Sequence, residues 1–277
     1  MAVCGTFTAD YGNGHAGLGR APGPGRDYAQ QPAREVVPLK VRLVLLVSAL
    51  TVLVGVAAAV PAYLVARHDT PTAMDLPRVS GLPADMPTGL ANLMSLSALP
   101  RTPAPGFTLT DQQGHRLTLA SLRGKVVVLQ FMDPHCTDIC PLVSQEFVDA
   151  YHDLGARAGR VVFAAVNVNP YYTSVPAMAE YSRAHGLVTI PDWHFFTGPV
   201  AQLRPVWQGY HIAVNAPNPN ADVQHTSAVY LIDQRGRERY LAMPVADHNK
   251  SGAAYLPAKQ LATWGHGIAL LAKDLLD

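Results

Sequence analysis

The residues best suited to chemistry lie together in Asp133-Pro134-His135-Cys136-Thr137-Asp138-Ile139-Cys140-Pro141, between an apolar run and a helical pattern. Two thiols four positions apart can be bridged, can exchange with another disulfide, or can share a soft metal ion. Each of these uses passes through the thiolate. A helix start would supply it. Ile139, Val143, Phe147, Ala150, Tyr151 and Leu154 recur at spacings of three and four, so one helical face is apolar. Pro141 has no N–H to donate and fits only the first turn, so the helix must begin just before it, with Asp138 as its N-cap. Cys140 then lies in the first turn and Cys136 in the entering loop, both at the positive end of the helix dipole, which favours thiolate over thiol.

The elements that must position this stretch follow from the flanking patterns. The folded domain is expected to begin near Pro105. Phe107 to Thr110 and His115 to Leu119 flank Asp111-Gln112-Gln113-Gly114 as a hairpin. The apolar run Val126 to Met132 is a central strand, the helix after the motif reaches Leu154, and Val161 to Val166 is the next strand. Strand, helix and strand at that spacing make a βαβ unit with a parallel pair. A helix over Val175 to His185, a short strand Trp193 to Phe196 and a helix over Val200 to Tyr210 come next. Ser227 to Asp233 and Glu238 to Met243 form an antiparallel pair about Gln234-Arg235-Gly236, and a last helix covers Pro257 to Leu276. The pattern predicts an α/β thioredoxin-like fold: a central mixed sheet flanked by helices, with two thiols at the tip of the first βα turn.

Upstream of the domain the composition changes. Residues 1–40, rich in Gly, Ala, Pro and Arg, read as a disordered cytoplasmic tail. Leu43 to Ala66 carries no formal charge between Arg42 and Arg67, which as a helix would span roughly 36 Å against a bilayer core of about 30 Å. Residues 41–66 are therefore read as one transmembrane helix. A cleaved signal peptide ending near Ala57-Ala58-Ala59 is the rival reading, and the forty residues ahead of the segment argue against it. Arg26, Arg34, Lys40 and Arg42 precede the span, with only Arg67 and Arg78 soon after it, so the N-terminus is expected in the cytoplasm. The folded domain then faces the extracytoplasmic side of the cell membrane. Residues 67–104 read as a Pro-rich spacer, whose Met74, Met86 and Met94 offer thioethers that suit packing better than ligation, and residues 105–277 as the domain. A net charge of +1 with 15% charged residues leaves no basic surplus, which excludes nucleic acid as a partner. Three cysteines, of which Cys4 is remote, exclude a disulfide-stapled scaffold.

Cys136-Thr137-Asp138-Ile139-Cys140-Pro141, Trp193-His194-Phe195-Phe196-Thr197-Gly198 and Val223-Gln224-His225-Thr226-Ser227 running into Ala228 to Asp233 together resemble the Sco/SenC family over roughly residues 104 to 275. The resemblance implies a membrane-tethered thioredoxin fold that binds one copper, Cu(I) or Cu(II), through Cys136, Cys140 and His225. It further implies a chaperone that delivers copper to the CuA site of cytochrome c oxidase subunit II, or keeps that site's cysteines reduced with the help of a thiol reductant. Two positions depart from the family pattern. Thr137 stands where Pro is usual, and Asn167-Val168-Asn169-Pro170 stands where an Asp-Pro-x-Arg-Asp run is usual, which bears on how a partner docks.

Each singled-out residue also has a plainer reading. The cysteines could form a structural disulfide, although so short a loop removes little unfolded-state entropy. Two thiolates and an imidazole suit copper, and zinc accepts the same donors, usually with a fourth. His225 could be a loop histidine, His135 either a ligand or a neighbour pointing elsewhere, and His194 a packed strand residue. A thiol–disulfide oxidoreductase needs only Cys136 and Cys140, so it stands beside the copper chaperone as the enzymatic alternative. A thiol peroxidase is disfavoured because only Pro134 of its usual upstream pair is present.

Overall fold

An unbroken apolar strand is stable only where both of its faces are covered, and that is the position of Val126–Met132 in a computed structural model that describes residues 80–277. In chain order the regular elements are α1 (Thr88–Leu93), β1 (Ser97–Ala98), β2 (Thr108–Thr110), β3 (Arg116–Thr118), β4 (Val126–Met132), α2 (Ile139–Leu154) and β5 (Val161–Asn167). There follow α3 (Val175–Ala184), β6 (Trp193–Phe196), α4 (Val200–Gly209), β7 (Val214–Asn215), β8 (Gln224–His225) and β9 (Val229–Ile232). The chain ends with β10 (Glu238–Ala242), β11 (Asp247–His248), β12 (Ala254–Tyr255) and α5 (Ala258–Leu276). The main sheet has the order β1-β10-β9-β4-β5-β6. β4, β5 and β6 are parallel, whereas β9 runs antiparallel to β4 and β10 antiparallel to β9, so the sheet is mixed as expected.

Alternation along β4 divides the core between the two faces. Val126, Val128 and Met132 join Phe147 of α2, Met178 of α3 and Trp264 of α5. Val127, Leu129 and Phe131 join Leu109 of β2 and Leu203, Trp207 and Tyr210 on or next to α4. The contact of α5 with α2 is close because Gly265 has no side chain: a Cβ there would lie 2.6 Å from Asp149 Cβ.

The expected spacer is corrected by the structure at its C-terminal end. Met86, Leu90, Met94 and Leu96 are buried in the core, and β1 pairs with β10 through Ser97 and Leu241. A helix of six residues is too short to display a clear period, which is why proline content dominated the reading of this stretch. Met86 and Met94 are packing residues. The expected tail 1–40, with Cys4, the expected transmembrane helix 41–66 and Met74 lie outside the described residues. Among the described residues no helix is long and apolar enough to cross a membrane.

Candidate dithiol and histidine site

β4 delivers the motif at its C-terminal end. Beyond Met132 the chain turns on Asp133, whose carbonyl accepts the Cys136 N–H at 3.1 Å. Its Oδ1 accepts the His135 N–H at 2.8 Å and Asn169 Nδ2 at 2.9 Å. The helix starts at Ile139, so Pro141 falls in the first turn and Cys140 just before it, as the sequence predicts. Asp138 occupies the N-cap position without making a cap bond. Its backbone (φ −104°, ψ −106°) departs from the extended conformation in which a cap side chain reaches back to the helix N–H groups. The carboxylate accepts instead from His248 Nε2 at 2.7 Å, across from β11.

The two cysteines are thiols rather than a disulfide, Cys136 half-buried and Cys140 fully buried. The Cys140 S–H donates to the Cys136 sulfur, and this bond, with burial and the charge on Cys136, holds the Cys140 pKa well above the ordinary thiol range. A backbone hydrogen bond at Asp133 opposes the shift. The expectation that the helix dipole raises the thiolate fraction of both cysteines therefore fails for Cys140, where burial and the partner sulfur outweigh it. The pair is asymmetric. Cys136 is the reachable sulfur and Cys140 keeps a proton behind it.

His225 reaches the same end of the sheet through strand register. Val229 of β9 lies opposite Gln130 near the end of β4, and Gln130 Nε2 donates to Ser227 Oγ at 3.1 Å, which ties the segment after His225 to the motif's own strand. His225 is 4% exposed. Its Nδ1 is 3.1 Å from the Thr226 carbonyl, and a carbonyl can only accept, so Nδ1 carries the proton and Nε2 presents a lone pair. Nε2 is buried with no hydrogen-bond partner. A tautomer fixed by a backbone carbonyl, with the other nitrogen open, is the form in which imidazole binds metal. Asp133 lies between the parts of the site. Burial pushes its carboxyl pKa up, and the bonds from the His135 N–H and Asn169 Nδ2 oppose this. Among the described residues no three His, Cys, Asp or Glu side chains are closed into a metal-binding group. The structure thus joins Cys136 to Cys140 and brings His225 to their end of the sheet, without assembling the three as a cluster.

His135 and His194 take up other contacts. The His135 ring stacks on Tyr172 with centroids 3.7 Å apart. His194 is held between Asp111 Oδ2 at 3.0 Å and Asp192 Oδ1 at 3.2 Å, on the edge strand β6 opposite Ala164 of β5. Asp133 and Asn169 entered the sequence analysis as members of longer runs with no role of their own, and Tyr172 was not singled out. The unusual Asn167 to Pro170 run was the signal that this loop is built differently.

A parallel βαβ core with a dithiol at its strand-to-helix turn defines a thioredoxin-like dithiol protein. The SCO1/SenC family model matches residues 99–254, and the chain belongs to that family. It is 31% identical over 140 residues to the protein SCO2 homolog, mitochondrial, of Bos taurus, covering 47% of this chain and 50% of that protein. The chain thus spans about half the length of the curated relatives it matches first. A SCO1/SenC family lipoprotein from Bacillus anthracis shares the fold, with a TM-score of 0.50 and 21% identity over 65% of this chain and 98% of that one. Bradyrhizobium japonicum ScoI, solved with copper bound, aligns with a TM-score of 0.48 and 24% identity over 63% of this chain and 99% of that one.

Proposed function

We propose that this protein is a membrane-tethered, extracytoplasmic copper-handling protein of cytochrome c oxidase assembly, taking copper as cargo on Cys136, Cys140 and His225. It would pass copper to the CuA site of subunit II or keep that site's cysteines reduced. The observation that carries the reading is the buried Nε2 of His225, open while Nδ1 is committed to the Thr226 carbonyl, at the end of the sheet that holds two thiols. Two thiolates satisfy Cu(I), and an added nitrogen accommodates Cu(II). Loading expels the proton that Cys140 holds, so uptake is coupled to proton release. A bridged pair has no thiolate to offer and should bind no copper.

Anaerobic titration of the full chain with Cu(I) and Cu(II), wild type beside His225→Ala, tests this. The substitution should weaken Cu(II) by at least about tenfold and Cu(I) much less. Equal submicromolar Cu(II) binding by both proteins, or none by either, removes His225 from the site.

A second reading, a thiol–disulfide oxidoreductase without copper, is favoured by the direct Cys140 to Cys136 hydrogen bond and by the lack of a closed three-donor group among the described residues. Cys136 would attack a substrate disulfide, Cys140 would resolve the mixed disulfide, and a thiol reductant would restore the pair. On that reading His225→Ala leaves thiol exchange intact and metal binding weak throughout.

A further inference from the structure

Four arginines that lie far apart in the sequence meet at the turn between β9 and β10. The Asp233 N–H donates to the Arg237 carbonyl at 2.8 Å, and Gly236, at φ +77°, lets the chain reverse. Asp233 Oδ1 accepts the N–H groups of Arg235 at 2.9 Å and Arg237 at 3.0 Å, so both arginines stand on a fixed backbone. Arg123 covers Gly236 between them: a Cβ there would lie 3.4 Å from Arg123 Nε. Arg101 arrives on the segment beside β10, where the Thr102 carbonyl accepts the Glu238 N–H at 2.9 Å and the Ala104 N–H donates to the Gly236 carbonyl at 2.9 Å.

All four side chains are exposed, and none takes part in the ion pairs and side-chain hydrogen bonds among the described residues. The acids nearby are engaged elsewhere. Asp233 holds the turn and faces Arg239 at 3.6 Å, and the half-buried Glu238 accepts from Thr102 Oγ1 at 3.3 Å. The turn is therefore a local excess of positive charge in a chain whose net charge is only +1, an excess that composition could not display.

Its place in the fold gives the excess a direction. The Gly124 N–H donates to the Gln234 carbonyl at 2.9 Å, so the turn lies just ahead of β4, whereas the dithiol follows the other end of that strand. The seven residues of β4 put about 20 Å between the two ends. The motif itself carries Asp133 and Asp138 and no Lys or Arg. Near the start of the described residues, a Cβ on Gly81 would lie 3.0 Å from Ala98 Cβ, and Ala98 pairs with Tyr240 of β10, three residues from Arg237. Residues 67–79 alone separate the described residues from the expected transmembrane segment, a reach of at most about 45 Å. A tether this short makes contact with the bilayer surface effectively intramolecular, so a few guanidiniums are enough to bias it.

We propose that Arg101, Arg123, Arg235 and Arg237 form a docking surface for anionic phospholipid headgroups, which turns the dithiol end of the domain away from the bilayer. Guanidinium forks match phosphate oxygens, and exposed forks without protein partners have no ion pair to give up. The proposal rests on the membrane-tethered reading and does not require copper. It leaves Cys136 facing the space in which an acceptor's soluble domain would approach.

The test uses the full chain in nanodiscs of phosphatidylcholine, alone or mixed with phosphatidylglycerol, with an acceptor dye on a fraction of the headgroups. A donor dye is placed either at Ala120→Cys, beside Arg123, with the three native cysteines changed to Ser, or on Cys136 with Cys4→Ser and Cys140→Ser. In the mixed discs at low salt, energy transfer should be strong from position 120 and weak from Cys136. The contrast should fade in phosphatidylcholine alone and at high salt. Each of Arg123→Gln, Arg235→Gln and Arg237→Gln should lower the ratio of docked to undocked domain about fivefold, and the three together on the order of a hundredfold. The corresponding Lys variants should keep most of the docking, and unfolding midpoints should be unchanged throughout, because these side chains hold nothing in the fold. Equal transfer from both positions in the mixed discs, stronger transfer from Cys136, or a contrast that ignores salt and lipid would overturn the docking proposal alone. A full chain that alkaline carbonate strips from the bilayer overturns the tether reading and the docking proposal with it.

Discussion

Two histidines, one on the edge of the central sheet and one beside the dithiol, sit in polar surroundings that are finished differently. On the edge strand β6 both His194 nitrogens face carboxylates, Asp111 and Asp192. Asp111 also accepts the N–H groups of Gln113 at 2.9 Å and His115 at 2.8 Å, and Lys125 reaches Asp192 at 2.6 Å. Beside the dithiol, His225 keeps Nε2 open. A buried polar atom without a partner costs stability. The saturated histidine therefore reads as structural and the unsaturated one as the working one.

The comparison breaks first at the two histidines. His194→Leu would leave the fully buried carboxylate of Asp111 short of its charged partner, a loss of about 2–3 kcal/mol. His225→Leu removes an imidazole whose Nε2 bonds to nothing and should cost less than about 1 kcal/mol. Urea unfolding of both variants decides it: a larger loss at His225 would reverse the assignment, as would a His194 variant that folds but no longer exchanges disulfides.

The next effect is one of pH. Burial alone would lower the His194 pKa, but the hydrogen bonds to Asp192 and Asp111 outweigh it and hold the value above 6.5. A raised value means that this contribution is complete below about pH 6.5 and is lost as pH rises through the folded-state pKa. Asp111 is the mirror case. Burial is outweighed by the His115 N–H, His194 and the Gln113 N–H, its pKa falls below 3.8, and its contribution is lost only as acid reaches that lowered value. Wild-type stability relative to His194→Gln should therefore be greatest between about pH 4 and pH 6.5 and shrink in alkali. A difference that grows in alkali would show that His194 is neutral in the folded protein.

Glu146 gives the smallest effect and the sharpest check on the rule. Burial, with the charge of Asp149, pushes its carboxyl pKa well up, and neither oxygen has a hydrogen-bond partner. It lies on α2 beneath α5, whose Gly265 packs against the Glu146 carbonyl. Glu146→Met should raise stability by about 1 kcal/mol and leave metal uptake unchanged, seen in unfolding midpoints and copper titration. Lost uptake with an intact fold would extend the working site to this helix interface.

Much of this was legible in the residue pattern because it is local. The unbroken run Val126 to Met132, the period of three and four after Ile139, and the missing N–H of Pro141 determine a strand, a helix and the place of the turn between them. The short elements were not legible. α1 lacks the length to show a period, and the two-residue strands β7 and β8 exist only because Val214 finds His225 and Asn215 finds Gln224.

The sequence by itself thus determined that two thiols stand at a helix start, and the family resemblance singled out His225. Tertiary structure alone decided what those residues became. It brought Cys140 under the Cys136 sulfur, where burial overrides the helix dipole, and took Asp138 from its cap to His248. It stacked His135 on Tyr172 and left one nitrogen of His225 open. Each of these depends on a partner far away in the chain, and burial and hydrogen bonding between distant residues are set by packing, which no local spacing records.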